Sequence, residues 1–249
     1  MPTPIPVAPP PNWTDVFTAF GTVGATAVAV FLLFREVIVH WIWHPQLEVR
    51  LLRRPPDCHI IQEVVQVAYP GEPPTSFTRD TFYCRLQVDN VGKRRALEVE
   101  VRISRVWRLN EDGQYEEDRD FLPMNLRWAN LVAGLAVPVI DPHLPRHCNL
   151  CMFPKSSVPG EPAGPMIQFL TEVRPFKVGP DRWPTFKPPG SYRVEIAVTA
   201  DNAKPIRKCV DIRFTGEWFD DSVGLAEKAL RIAVTSTKGV EQGPVAPQD

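Results

Sequence analysis

Alternation of apolar and polar residues with a period of two constrains this chain most. It occurs in four segments: 80–90, 97–103, 191–200 and 208–214. Because successive side chains of a strand point to opposite faces, such alternation is typical of antiparallel strands with one buried face. Shorter apolar patterns predict two further strands, at 47–52 and 59–69. No strand–helix–strand repeat is found, so the sequence predicts a mainly β, antiparallel sandwich over residues 46–234.

Proline supports a fold built from strands and stiff loops. The chain has 28 prolines against 14 glycines, and proline both removes a backbone donor and fixes φ. The prolines concentrate in a leader over 1–15 and in the stretch 137–189. We therefore expect 137–189 to be an irregular insertion packed on the sandwich.

The carboxyl-terminal part has a different pattern. Residues 221–234 place Val223, Ala226, Leu230 and Ala233 on one side of a helix, which predicts a short C-terminal helix. The residues that follow, 235–249, are polar and predict a disordered tail.

One strand–turn–strand pattern carries a family resemblance. The run Leu86-x-Val88-x-Asn90-x-Gly92, continued by Ala96, Val99 and Val101, resembles bacterial immunoglobulin-like domains of the CARDB type. The segment Pro189-Gly190-Ser191-Tyr192 is similar to the start of the penultimate strand in many such sandwiches. The resemblance implies an immunoglobulin-like β-sandwich, and it specifies a fold rather than an activity.

The amino-terminal region predicts a membrane anchor. Residues 16–34 contain no charged residue, and a helix of this length covers about 28 Å, close to the hydrocarbon thickness of a bilayer. Trp13 precedes the stretch, and Trp41 and Trp43 follow it, as in the aromatic belts of membrane helices. A cleaved signal peptide would begin with basic residues, which the first 15 positions lack. We expect a single-pass transmembrane helix with a juxtamembrane extension over 16–44.

Basic residues predict the orientation of this anchor. None precedes the apolar stretch, whereas Arg35, Arg50, Arg53 and Arg54 follow it. The positive-inside rule then places the amino terminus outside and the sandwich in the cytosol, at the cell (inner) membrane. Arg50, Arg53 and Arg54 are expected at the membrane interface, next to anionic headgroups.

One side of the predicted helix carries small residues. Gly21, Ala25 and Ala29 recur every four positions, a spacing that lets two membrane helices approach closely. The expected partners are therefore the lipid bilayer and another helix, from a second copy or from a different protein.

Five cysteines provide the chief alternative: Cys58, Cys84, Cys148, Cys151 and Cys209. Cys148 and Cys151 form a CxxC pair close to His143 and His147, and such residues could bind a metal. A second CxxC pair is absent, although Cys58 and His59 could converge on the first. Free reduced thiols in a cytosolic domain are the simpler interpretation.

No catalytic motif is recognised, and the net charge of −1 does not favour nucleic-acid binding. The acidic run at 111–120 is interpreted as a solvated hairpin tip. The sequence therefore predicts a membrane-tethered interaction protein, a scaffold or adaptor, without enzymatic activity or cofactor. The alternative is a metal-binding sensor or enzyme that uses His143, His147, Cys148 and Cys151.

Overall fold

A computed structural model describes residues 12–68, 71, 73–129, 136–172 and 184–236. The chain forms two compact units, of which the first ends at His44 and the second begins at Pro45. The first 11 residues of the predicted leader and residues 237–249 of the predicted tail lie outside the described residues.

The first unit contains a single described helix, α1, which spans Trp13–Ile42. It has no internal proline, and the hydroxyls of Thr18, Thr22 and Thr26 each donate to the carbonyl oxygen four residues earlier, at 2.8 Å. Large apolar side chains are exposed along it, including Leu33, which is 78% exposed. Within the part of the chain that the structure describes, no helix is both long enough and apolar enough to cross a membrane.

The second unit consists mainly of antiparallel strands. In chain order these are β1 Leu47–Arg50, β2 Cys58–Val67, β3 Thr75–Asn90, β4 Ala96–Leu109, β5 Tyr115–Glu117, β6 Met124–Asn125, β7 Val137–Ile140, β8 Arg146–Pro154, β9 Ile167–Phe169, β10 Phe186–Lys187, β11 Gly190–Ala200, β12 Ala203–Phe214 and β13 Leu230–Ser236. The first sheet has the order β1-β3-β8-β9-β10, with β2 beside β1 on the same edge of β3. The second sheet has the order β13-β12-β11-β4-β5, and β6 and β7 also pair with β4.

The core lies between the two sheets. Phe82, Leu86 and Val88 of the first sheet and Ile196 of the second belong to one buried cluster. The rings of Phe153 and Phe214 meet edge to face across the sheets, with centroids 4.7 Å apart. The prediction of a mainly β, antiparallel fold is confirmed, and the alternating segments are the ones that supply the inward faces.

Asn90 explains why the turn between β3 and β4 has a recognisable sequence. Its side chain is fully buried. Nδ2 donates to the carbonyl oxygens of Arg94 and Ile140, at 2.6 and 3.0 Å. Oδ1 accepts from the amides of Gly92 and Gln46, at 3.1 and 3.2 Å. The amide therefore holds the turn by satisfying four backbone groups that would otherwise lack partners.

Two local predictions require correction. Four strands, β7 to β10, lie within 137–189, and β8 pairs with the central strand β3. That range therefore contributes an integral strand to the sandwich, because the prolines flank or end β8 and leave its buried segment free to pair.

The predicted helix at 221–234 ends early. It consists of α2, Ser222–Gly224, and a π-helical turn, Leu225–Ala229. Leu230 and Ala233 belong instead to β13, which pairs with β12 in the register Ile232 opposite Ile212. Large apolar residues recur at every second position, Leu230, Ile232 and Val234, which favours a strand. The pairing of this strand with β12 overrides the helical spacing.

Candidate functional site

The four residues of the predicted metal cluster are not brought together. His143 lies in an exposed turn, and the His147 imidazole approaches the carboxylate of buried Asp57. Cys148 pairs with inward-facing Leu86 of β3, whereas His147 pairs with the next, outward-facing residue. Within the described residues, no group of three or more His, Cys, Asp or Glu side chains could hold a metal ion.

Cys151 instead belongs to a row of three thiols across the first sheet. Cys58, Cys84 and Cys151 face one another on β2, β3 and β8, and the Sγ atoms of Cys58 and Cys84 are 3.7 Å apart. A β-bulge in β8 at this point lets Cys148 and Cys151 both pair with inward residues. Burial raises the pKa of Cys84 well above its usual range and that of Cys148 to about 12. All five cysteines are buried free thiols, and Cys58, Cys84, Cys148 and Cys151 belong to the hydrophobic core.

Asp57 and His147 form a polar pair on the other face of this sheet. Asp57 is fully buried, and its Oδ2 accepts from the amide of Leu52 at 2.7 Å. Its Oδ1 lies 3.1 Å from Nε2 of His147. The carboxylate thus fixes the chain between β1 and β2, which is a structural role.

A cavity of about 300 Å³ lies beside β10 and β11. Its floor contains Lys187, whose ammonium pairs with Asp118 and lies 5.9 Å from the ring centre of Phe121. Burial lowers the pKa of Lys187, although Asp118 opposes that effect. The hydroxyl of Tyr192 donates to the carbonyl oxygen of Pro188 at 2.6 Å. Because the lysine and the tyrosine are both already paired, this cavity presents no free reactive group from them.

A buried ion network fixes β2 against the rest of the first sheet. The Arg79 guanidinium on β3 pairs with Glu63 of β2 at 3.1 Å and with Glu161 at 2.5 Å. Burial alone would lower the pKa of Arg79. The carboxylates of Glu161 and Glu63 have the larger combined effect, so the pKa is raised. The hydroxyl of Tyr83 donates to Glu63 at 3.2 Å. Burial, with help from Glu63, raises the pKa of Tyr83 to about 12.

The opposite side of β2 forms the candidate interaction edge, which we define as the outward backbone groups of Gln62, Val64 and Gln66. Two hydrogen bonds show which backbone groups of this strand point away from β3. The amide of Arg85 in β3 donates to the carbonyl oxygen of Asp57, whereas the amide of Ile60 donates away from β3, to the Ser222 hydroxyl at 3.2 Å. Since backbone groups alternate along an antiparallel strand, the later even-numbered residues also point away from β3.

The candidate interaction edge is open in the described structure. No described strand pairs with this side of β2. The strand has neither proline nor lysine, and its one charged residue, Glu63, is held by Arg79. Val64 is 63% exposed. An edge of this kind accepts an additional strand, because proteins usually block such edges with charge, proline or a covering segment.

Some of the residues expected at the membrane are exposed, and the side chains of others lie outside what the structure describes. Gly21, Ala25 and Ala29 are exposed on α1, and a Cβ built at Gly21 would meet no atom within 4 Å. Trp43 is 50% exposed, whereas the side chains of Trp13 and Trp41 lie outside what the structure describes.

The three interface arginines behave differently from one another. Arg50 pairs with Glu48 at 2.7 Å and approaches Asp89 at 3.8 Å. Nε of Arg53 donates to the carbonyl oxygen of Ile232 at 3.0 Å. The side chain of Arg54 is exposed.

The sequence pattern predicted β2 but not its open edge. That property depends on which strands flank it, and the distant segments β3 and β8 decide this. The absence of proline and lysine between Cys58 and Val67 is the one signal in the sequence that could have indicated it.

Comparison with known proteins gives no family for this chain. No family model matches, and no curated protein matches. A similar solved structure is the X-ray structure of Northeast Structural Genomics Consortium target SoR45. It is 11% identical, the match covers 82% of this chain and 96% of that one, and the TM-score is 0.24.

Proposed function

We propose that this protein is a membrane-tethered interaction module. In this proposal, α1 is a single-pass anchor, and the sandwich binds an extended segment of a protein partner through the candidate interaction edge. The observation that carries the proposal is the row of outward backbone groups at Gln62, Val64 and Gln66. Main-chain hydrogen bonds from such an edge supply affinity in β-strand addition, and neighbouring side chains supply specificity.

The anchor is supported by the sequence and by the surface of α1. Residues 16–34 are uncharged, and Phe20 and Leu33 are among the large apolar side chains exposed along the helix. In water such a surface would be costly, whereas hydrocarbon accommodates it. Gly21, Ala25 and Ala29 would allow packing against a second helix. The orientation remains the one that the basic residues favour, with the sandwich in the cytosol at the cell membrane.

The immunoglobulin-like assignment is also a proposal. It is supported by the strand–turn–strand unit β3–β4, in which the residues of the pattern have clear roles. Leu86, Val88, Ala96 and Val99 are fully buried, and Asn90 satisfies the turn. The pattern thus corresponds to one connection between the two sheets, from β3 of the first to β4 of the second.

A proline substitution tests the interaction edge. Val64→Pro removes an outward amide, and Val64→Thr keeps that amide with a side chain of similar shape. We expect a partner that co-purifies from native membranes with the wild type to be retained by Val64→Thr and lost with Val64→Pro. Equal recovery with both variants would contradict binding at this edge. A wild-type chain that runs as a lone monomer and recovers no protein would contradict the interaction function itself.

Topology requires an introduced cysteine. The five native thiols are buried, so they give little background to an impermeant thiol reagent. Asp112 lies in an exposed turn, and Asp112→Cys reports on the side of the membrane that holds the sandwich. We expect labelling only after the cells are permeabilised. Labelling of intact cells would reverse the proposed orientation.

A further inference from the structure

Three arginines converge where the chain between β1 and β2 meets the second sheet. Arg53, Arg213 and Arg231 all line one depression of about 190 Å³. Arg213 on β12 and Arg231 on β13 are direct cross-strand partners, and Ser191 of β11 lies opposite Arg213 on its other side. Arg53 reaches the same edge from the other sheet, since its Nε donates to the carbonyl oxygen of Ile232 at 3.0 Å.

These three positive charges have no acidic partners among the described residues. Arg231 donates to the backbone oxygen of Glu227, and that contact leaves its charge unneutralised. Asp211 also lines the depression, but it accepts from Nε of Arg193 at 2.8 Å. Several other arginines of the sandwich do have acidic partners, as Arg79 has two carboxylates.

This arrangement of positive charges favours a bound anion. Like charges directly opposite each other on neighbouring strands destabilise a sheet. Guanidinium groups bind phosphate oxygens through paired N–H donors, which a lysine cannot reproduce. Tyr115 and Ser191 line the same depression and add hydroxyl groups that can donate.

We propose that Arg53, Arg213 and Arg231 form a binding site for a phosphate-type oxyanion. The site does not overlap the candidate interaction edge, which lies on β2 of the other sheet. Two sources supply this chemistry: a free phosphate group in solution, or the phosphate of an anionic lipid headgroup.

Thermal unfolding of the full chain tests the site, because a ligand that binds only the native state raises the midpoint. In detergent micelles, inorganic phosphate replaces chloride at constant ionic strength. We expect the midpoint of the wild type to rise with phosphate. In the double variant Arg213→Gln/Arg231→Gln, the apparent Kd for phosphate should increase at least about tenfold, since each charge-assisted contact contributes substantially.

A matched variant separates the site from net charge. Lys93→Gln/Arg94→Gln removes the same charge from a turn far along the chain from the site, and it should keep the wild-type response. If this control lost the response to the same degree, general charge screening would replace the proposed site.

A second arm distinguishes the two sources. The chain is reconstituted in lipid discs of phosphatidylcholine alone or with phosphatidylglycerol, without added phosphate. Stabilisation by phosphatidylglycerol that the Arg213→Gln/Arg231→Gln variant loses, without a response to inorganic phosphate, assigns the site to lipid headgroups. A response to inorganic phosphate assigns it to free phosphate. The proposal is overturned if neither anion stabilises the wild type more than this double variant. The micelle arm does not require α1 to cross a bilayer, so its failure would leave the proposed anchor unaffected.

Discussion

The sandwich has two long edge strands, β13 and β2, and their outward backbone groups are protected differently. At β13, Arg53 donates across from the other sheet to the carbonyl oxygen of Ile232, and two further arginines stand beside it. At β2, the Ser222 hydroxyl caps the amide of Ile60, and no described group caps the outward positions beyond it. Charged side chains that reach over an edge discourage further strand pairing. The difference favours β2 over β13 as the edge for the strand addition that we propose.

The largest expected effect concerns what holds β2 in place. Arg79→Met removes a guanidinium that is 2% exposed and leaves Glu63 and Glu161 without their partner. Because breaking a buried ion pair leaves uncompensated charge, we expect the free energy of unfolding to fall by about 3–5 kcal/mol. Urea denaturation measures this. The exposed Arg105→Met is the control and should cost less than about 0.5 kcal/mol. Similar losses in the two variants would show that β2 is not fixed by this network.

Proline substitutions compare an amide of β2 that faces β3 with one that faces outward. Val65→Pro removes an amide that faces β3, so we expect a loss of about 3 kcal/mol in unfolding free energy. Val64→Pro removes an outward amide and should cost less than about 1 kcal/mol, as proline does on edge strands. Equal destabilisation by both substitutions would mean that the outward side of β2 is already paired.

One substitution tests whether Arg53 protects the edge strand β13. Arg53→Ala removes the donor to Ile232, and the expected loss is about 0.5–1 kcal/mol, the net value of one partly buried hydrogen bond. Amide hydrogen exchange along β13 should quicken at the same time. Unchanged exchange would show that Arg53 does not protect this edge, and the contrast with β2 would then lose its explanation.

A smaller effect is expected on stability at high pH, where two tyrosines, one in each sheet, ionise. The Tyr83 hydroxyl donates to Glu63 on β2, and the hydroxyl of Tyr192, on β11 of the second sheet, donates to the carbonyl oxygen of Pro188. Burial raises the pKa of each to about 12, above the usual value of 10.0. Since the native pKa is the higher one, the stability they contribute is present below pH 10 and is lost as the pH rises toward 12. Absorbance at 295 nm should show both phenols ionising late, and Tyr83→Phe should remove one of them.

Sequence patterns predicted the strands well because burial of one face leaves a period of two in the chain. Asn90 and the buried residues around it even marked a particular turn. Pairing between distant segments was not predictable in the same way. The row formed by Cys58, Cys84 and Cys151 depends on the register of three strands, and the CxxC spacing pointed instead to a local cluster that the structure separates.

The same limit applies to the arginines. Arg53 was expected beside a membrane because it follows an apolar stretch. Its contact with Ile232 joins positions 179 residues apart, and no local pattern records such a distance. The sequence therefore indicated a basic segment around Arg53, but only the fold shows that Arg53 meets Arg213 and Arg231.

Amide hydrogen exchange at β2 tests the central claim most directly. The chain is measured in discs cut from native membranes and again after purification in detergent. We predict slow exchange at Gln62, Val64 and Gln66 in the native discs and fast exchange after purification, with Ile61, Glu63 and Val65 protected in both. The same rates at the three outward positions in both preparations would contradict a partner strand at this edge.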